Sequence, residues 1–217
     1  MRSLKIHAGW DADESGTIRA LGARNAVTAV SAQGAIIGGY AKAHLVPGGE
    51  YLPLRPLLEP LGLSRLVAGS IDFLPGPGPQ TLDLGQFGKV SPQVCFEIIF
   101  SGQVTQPGNR PDYIFNPSSE GWFGASGPPQ FLAQSRMRAI EEGLPVLRAT
   151  NSGISAVIDP HGVVRENLGQ QVEGRIDALV PAAAPPTLFA RLGNMLCLFW
   201  AMVFLASGIV AMRHRGR

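Results

Sequence analysis

The sequence lacks a charge imbalance, a pair of cysteines placed to meet, and an apolar run near its start. Its 217 residues hold 18 Lys+Arg against 16 Asp+Glu, and a net charge of +2 leaves no electrostatic footprint for nucleic acid. The two cysteines are Cys95 in the body and Cys197 inside a long apolar run, so no structural disulfide is expected and Cys95 is left as a free thiol. The opening MRSLKIHAGWDADESG offers no apolar h-region, which excludes a signal peptide or a spanning helix there. His7, His44, His161 and His214 are scattered and no His/Cys/Asp group has zinc spacing, so neither a metal nor another cofactor is expected. No repeat and no phosphate-binding glycine signature occurs. With 45% hydrophobic against 16% charged residues, disorder is excluded as well.

Much of the apolar surplus lies at one place. From Leu192 to Met212 no charged residue occurs, and the run has roughly the 20 residues that cross a bilayer core. Leu198, Phe199, Trp200, Met202, Val203, Phe204 and Leu205 would cover every face of a helix, unlike the single apolar stripe of a core helix. A transmembrane helix over 192–212 is therefore expected, with a basic tail at 213–217 that the positive-inside rule places in the cytoplasm. Residues 1 to about 185 would then lie outside, yet nothing near the start can export them. Membrane segments upstream of Met1 are the expectation that reconciles the two.

Glycine (27) and proline (18) together exceed a fifth of the residues, which points to short elements and many turns. Asn25–Val30 and Ala35–Tyr40 read as a hairpin around Ser31–Gly34, and Leu54–Leu63 as one or two helical turns. Val90–Phe100 and Tyr113–Phe115 read as strands. Residues Pro128–Glu142 carry Phe131, Leu132, Ser135, Met137, Ala139 and Ile140 near a 3.6-residue period, an amphipathic helix stopped by Gly143. Strands follow at Pro145–Ala149 and Ile154–Ile158, with Asp159–Gly162 as a turn into Val163 and Val164. Pro181–Pro186 is a stiff spacer. The class is α/β. The divisions are an atypical segment over 1–24, a catalytic-type domain over 25–180, a Pro/Ala linker over 181–191, the membrane helix and the tail.

Three stretches carry candidate chemistry: YAKAHLVPGGEYLP around Lys42 and Glu50, VCFEIIF around Cys95 and Glu97, and SSEGWFG around Trp122 and Phe123. A thiol becomes a good nucleophile as thiolate, which a nearby ammonium stabilises, and a carboxylate must take the proton and return one to a leaving group. Cys95 and Lys42 on separate strands form such a pair only if the fold joins them. Trp122 and Phe123 are either core filler or the apolar lip of a pocket.

These stretches, with RMRAIEE at Arg136–Glu142 and RATNSGIS at Arg148–Ser155, resemble the C-terminal part of apolipoprotein N-acyltransferases, the membrane-bound branch of the nitrilase-like carbon-nitrogen hydrolases. The resemblance implies a partial nitrilase-like α-β-β-α sandwich over 25–180, followed by the spanning helix. It implies that Cys95 accepts a fatty acyl chain as a thioester, that Lys42 stabilises the oxyanion, that Glu50 orients the lysine, and that Glu97 is a further site acid. Phe96 stands where the family often has Tyr; with Trp122 and Phe123 it is a candidate substrate-binding side chain. The implied partners are a phospholipid acyl donor and a diacylglyceryl-apolipoprotein acceptor. The implied setting is the bacterial inner membrane, as a monomer with the domain facing the periplasm. The family's general-base glutamate has no match: Asp11, Asp13 and Glu14 are the only acids before Lys42, and none has an apolar strand leading into it. Base and upstream helices are thus expected before Met1, and this chain alone is expected to be inactive. A soluble-type amidase or nitrilase and a non-catalytic membrane-tethered remnant are the alternatives.

Overall fold

Alternating apolar runs and glycine-rich turns in the first third of the chain fold as an antiparallel sheet. The computed structural model describes residues 4–12, 18–62, 72–121 and 124–215. Strands β1 (Leu4–Ala12), β2 (Ile18–Val30) and β3 (Ile36–Ala41) lie in the order β1-β2-β3. The hairpin expected between Asn25 and Tyr40 is β2–β3. Its turn closes as Ser31 Oγ accepts from the Ala35 N–H at 3.1 Å, with Gly34 at φ +83°. β1 falls in the stretch for which the sequence pattern suggested no element. Asp13, Glu14 and the side chain of Asp11 lie outside the described residues.

A second sheet holds β4 (Leu82–Asp83), β5 (Lys89–Pro92), β6 (Tyr113–Ser118), β7 (Val146–Thr150), β8 (Ser155–Ile158) and β9 (Val164–Leu168), in that order. β5, β6 and β7 run parallel; the other neighbours are antiparallel. The two-residue side-chain period decides what each face buries. Tyr113 packs with Ala29, Leu84 and Val90 between the two sheets. Ile114, Val146, Ala156 and Ile158 pack on the opposite face against Phe131 and Ala139. Full burial of each large aliphatic side chain contributes about 2 kcal/mol. The expected strand Val90–Phe100 stops at Pro92. The Glu97 carboxylate accepts the Val94 N–H at 2.7 Å, and Cys95–Ile99 coil into a 3₁₀ turn instead.

Helix α1 (Arg55–Leu58) continues into one 3₁₀ turn ending at Leu61, as expected, with Leu63 outside the described residues. Helix α2 (Gly127–Glu142) ends at Gly143, which adopts the left-handed φ of 64°. Its buried face differs from the apolar count. Met137 and Ile140 are about half exposed, at 49% and 48%, while Ser135, Arg138 and Glu142 are buried. Those three have polar partners under the helix: Arg148 for Ser135, the Ile99 carbonyl for Arg138, and Thr105 for Glu142.

The Asp159–Gly162 turn is held by one carboxylate. Burial pushes the Asp159 carboxyl up, but the N–H groups of Val163 (3.0 Å) and His161 (2.9 Å) and the Arg165 guanidinium (2.8 Å) outweigh burial and hold it below the usual range. Asp159→Ala is expected to remove about 1–2 kcal/mol at pH 7, several degrees in Tm. A lowered folded pKa means the stabilisation is complete above the unfolded value of about 3.9 and is lost as pH falls through the folded one. The gap between wild-type and variant melts should therefore narrow between pH 5 and pH 2; a constant gap contradicts this account.

The spacer is pinned to the body. Arg110 donates to the carbonyls of Glu142 (2.9 Å), Gly143 (3.2 Å) and Ala184 (2.9 Å), and the Thr187 hydroxyl donates to the Glu141 carbonyl. Thr187 also caps the short α3 (Leu188–Leu192). The apolar run expected from Leu192 breaks at Gly193, and α4 (Met195–Arg215) starts beyond it. Over Met195–Arg213 this is the one helix among the described residues that is long and apolar enough to cross a membrane, and none of it is buried against the body.

Candidate active site

Three parallel strands end at one cavity. Cys95 follows β5, Ser118 and Ser119 close β6, and Thr150 and Asn151 close β7; together they line a space of about 500 Å³. Ligand sites form at the carboxyl ends of parallel strands because loops there are free of the sheet's packing. The other wall comes from the antiparallel sheet: Asn25 on β2, and Lys42, Val46 and Glu50 just beyond β3. Cys95 sits at φ +54°, a left-handed conformation that is unfavourable for a residue with a Cβ. Its Sγ lies 3.7 Å from the Ser119 carbonyl.

Lys42 and Glu50 form a buried pair, with Nζ 2.7 Å from Oε2 and only 1% and 7% of the side chains exposed. Glu50 also accepts from Val46 N–H at 2.8 Å and from Asn25 Nδ2 at 2.9 Å. A carboxylate so occupied fixes the ammonium in place at the cavity wall, and a fixed buried cation is a group able to stabilise a developing oxyanion. Glu50 is the only carboxylate among the described residues lining the cavity.

Glu97 is buried but absent from that lining. Its Oε1 accepts from the Tyr40 hydroxyl (2.6 Å) and the N–H groups of Ala43 (2.7 Å) and His44 (3.1 Å), while Oε2 accepts from Val94. It therefore ties the Lys42 segment to the 3₁₀ turn that begins at Cys95. Burial and the facing Glu97 push the Tyr40 phenol far above its usual range, so Tyr40 stays a neutral donor.

The remaining candidates separate. Phe96 lies outside the lining of the Cys95 cavity; it packs edge-on to Phe100 at 5.1 Å and borders two neighbouring depressions of about 340 and 550 Å³. Trp122 and Phe123 lie outside the described residues. Asn25, Ser118, Ser119, Thr150 and Asn151 line the cavity without having been singled out. The signal available for the last four was their place in the SSEGWFG and RATNSGIS stretches, at and just beyond the ends of β6 and β7.

Behind the cavity, Arg148 and Glu120 form an ion pair with both side chains fully buried. Burial lowers the Arg148 pKa, and Glu120 opposes that shift.

Residues 7–184 match the carbon-nitrogen hydrolase family profile. Apolipoprotein N-acyltransferases of Rhodopseudomonas palustris and Bradyrhizobium diazoefficiens are each 42% identical over 194 residues, covering 89% of this chain and 36% of theirs. The chain thus spans about a third of the length of those relatives. The crystal structure of a carbon-nitrogen hydrolase from Helicobacter pylori superposes with a TM-score of 0.51 at 18% identity, over 77% of this chain and 59% of that one.

Proposed function

The chain belongs to the carbon-nitrogen hydrolase family and has its nitrilase-like α/β fold, and from that premise we propose that it carries the acyl-transfer site of an apolipoprotein N-acyltransferase. The observation that carries the reading is the shared cavity of Cys95 and the buried Lys42–Glu50 pair. Cys95 Sγ, as thiolate, attacks the ester carbonyl of a phospholipid, forming the C–S bond as Lys42 holds the oxyanion; the ester C–O bond then breaks and the lysophospholipid leaves as an alcohol, taking up the proton that the thiol gave up. The free α-amine of a diacylglyceryl cysteine next attacks the thioester, forming the C–N bond as the C–S bond breaks; the amine loses one proton and the departing thiolate regains one. Glu50 orients Lys42, and Glu97 acts as a positioning residue.

An acyl donor in a bilayer accounts for the apolar α4. The base of that helix touches the loop after the nucleophile turn, where Asn194 Nδ2 donates to the Ser101 carbonyl at 3.4 Å. The cationic tail favours an inner-membrane protein with its domain in the periplasm. Release of an alkoxide needs a proton returned by a base, and the one described carboxylate of the cavity is held by Lys42. Residues 1–217 by themselves are therefore expected to form no thioester from phospholipid, but to form one from a p-nitrophenyl fatty ester, whose leaving group needs no proton.

The test incubates the detergent-purified chain with each donor and maps Cys95 by mass spectrometry, then adds a diacylglyceryl-cysteine peptide. Acylation of Cys95 by the activated ester is the expected result, with amide formation following only at a pH above about 8, where the peptide amine is already the free base. No adduct at Cys95 sinks the nucleophile assignment; a thioester from phospholipid sinks the missing-base step. Hydrolysis of simple amides without transfer to the peptide favours an amidase.

A further inference from the structure

A fully buried ion pair contributes little net stability, because desolvation offsets the attraction, so its place next to a nucleophile calls for a reason. The Arg148 fork reaches two elements and two loops at once. One nitrogen pairs with Glu120. Nη1 donates to Asn116 Oδ1 at 2.8 Å and Ser135 Oγ at 2.9 Å, and Nε donates to the Ile154 carbonyl at 3.1 Å. The parallel register sets Asn116 directly beside Arg148. Asn116 then spends its amide on the nucleophile turn: Nδ2 donates to the carbonyls of Gln93 (2.6 Å) and Cys95 (3.2 Å). With Oδ1 held by the guanidinium, the amide cannot flip, and its donors stay on those two carbonyls.

We propose that Arg148, neutralised by Glu120, is a positioning residue for Cys95: through Asn116 it fixes the left-handed backbone from which the thiol enters the cavity. The inference deepens the reading above and rests on its assignment of Cys95 as nucleophile. A residue with a Cβ at φ +54° relaxes unless its carbonyl is held, and relaxation would swing Sγ out of the wall it shares with Lys42. Glu120 is packed tightly as well: a Cβ on Gly153 would collide with its carboxylate.

The test reads thiol chemistry without an acyl donor. The full chain is alkylated with iodoacetamide from pH 6 to 9, and the rate at Cys95 is compared with that of free glutathione in the same tube, because Cys197 lies within the apolar α4. Lys42 and Glu50 across the cavity, Glu97 on its own turn, and Arg148 with Glu120 behind are the charged groups around the thiol, so a profile is needed rather than a single pH. Arg148→Met alone strands Glu120 and lowers the melting temperature. Glu120→Gln/Arg148→Met removes both charges and is expected to recover most of that loss, while the plateau ratio of Cys95 to glutathione alkylation stays about tenfold or more below wild type. A wild-type plateau in the double variant, or a change confined to the pH midpoint, overturns the proposal. If the double variant melts early, Asn116→Ser keeps the ion pair and decides the question by the same ratio: a drop supports the proposal and a wild-type value overturns it. A chain that shows the drop and is acylated at Cys95, but passes the acyl group to water and not to the peptide, removes the acyl-transfer reading and leaves this inference standing.

Discussion

Lys42→Ala is expected to slow acylation of Cys95 by a p-nitrophenyl ester about 100- to 1,000-fold, the loss that follows removal of one preorganised oxyanion donor. The side chain is 1% exposed and its ammonium sits 2.7 Å from Glu50, so the same substitution leaves a carboxylate buried without its cation. That second effect is expected to destabilise the fold by about 3–5 kcal/mol. Chemical rescue separates the two. Ethylammonium at tens of millimolar fits the vacated volume and is expected to restore part of the rate, whereas a defect of folding alone would not respond. A rate within about threefold of wild type in the unrescued variant would remove Lys42 from the reaction.

The second large effect is at Gly76, which no catalytic argument would single out. Its N–H donates to the Lys42 carbonyl at 2.7 Å, and a Cβ there would overlap the carbonyl of Ala41. Backbone cannot yield as a flexible side chain does, so Gly76→Ala must push the loop off the end of β3. The expected cost is about 3 kcal/mol or more, together with loss of most Cys95 acylation, because the displaced strand end carries Lys42. Gly78→Ala is the comparison: nothing lies within 4 Å of its Cβ, and only its φ of +121° opposes the change. Equal melting temperatures for wild type and Gly76→Ala would contradict the close approach.

Gly76 also shows the limit of reading glycines from sequence. In Pro75–Pro79 each glycine looks like a turn residue, and at Gly78 a positive φ bears that out. At Gly76 the requirement is contact with a strand more than thirty residues away, which no local pattern encodes. Helix α2 teaches the same lesson from the other side. Its limits follow from Pro128 and Gly143, but its buried face includes Arg138 and Glu142 because partners on other elements satisfy them. An apolar count assumes that charge stays in water; tertiary partners reverse that assumption.

The β2–β3 hairpin, α2, the apolar α4, and Lys42, Glu50 and Cys95 as candidates were legible in the sequence itself, since turn chemistry, helical period and run length are local properties. Family resemblance supplied the roles proposed for them. The sharing of one cavity by Cys95 and the Lys42–Glu50 pair, the use of Glu97 as a brace outside it, and the line from Arg148 through Asn116 to the Cys95 turn were decided only by tertiary structure. Each depends on strand register and on polar groups meeting across long sequence separations, where a hydrogen bond is strong because water is excluded, and neither condition is written in any one segment.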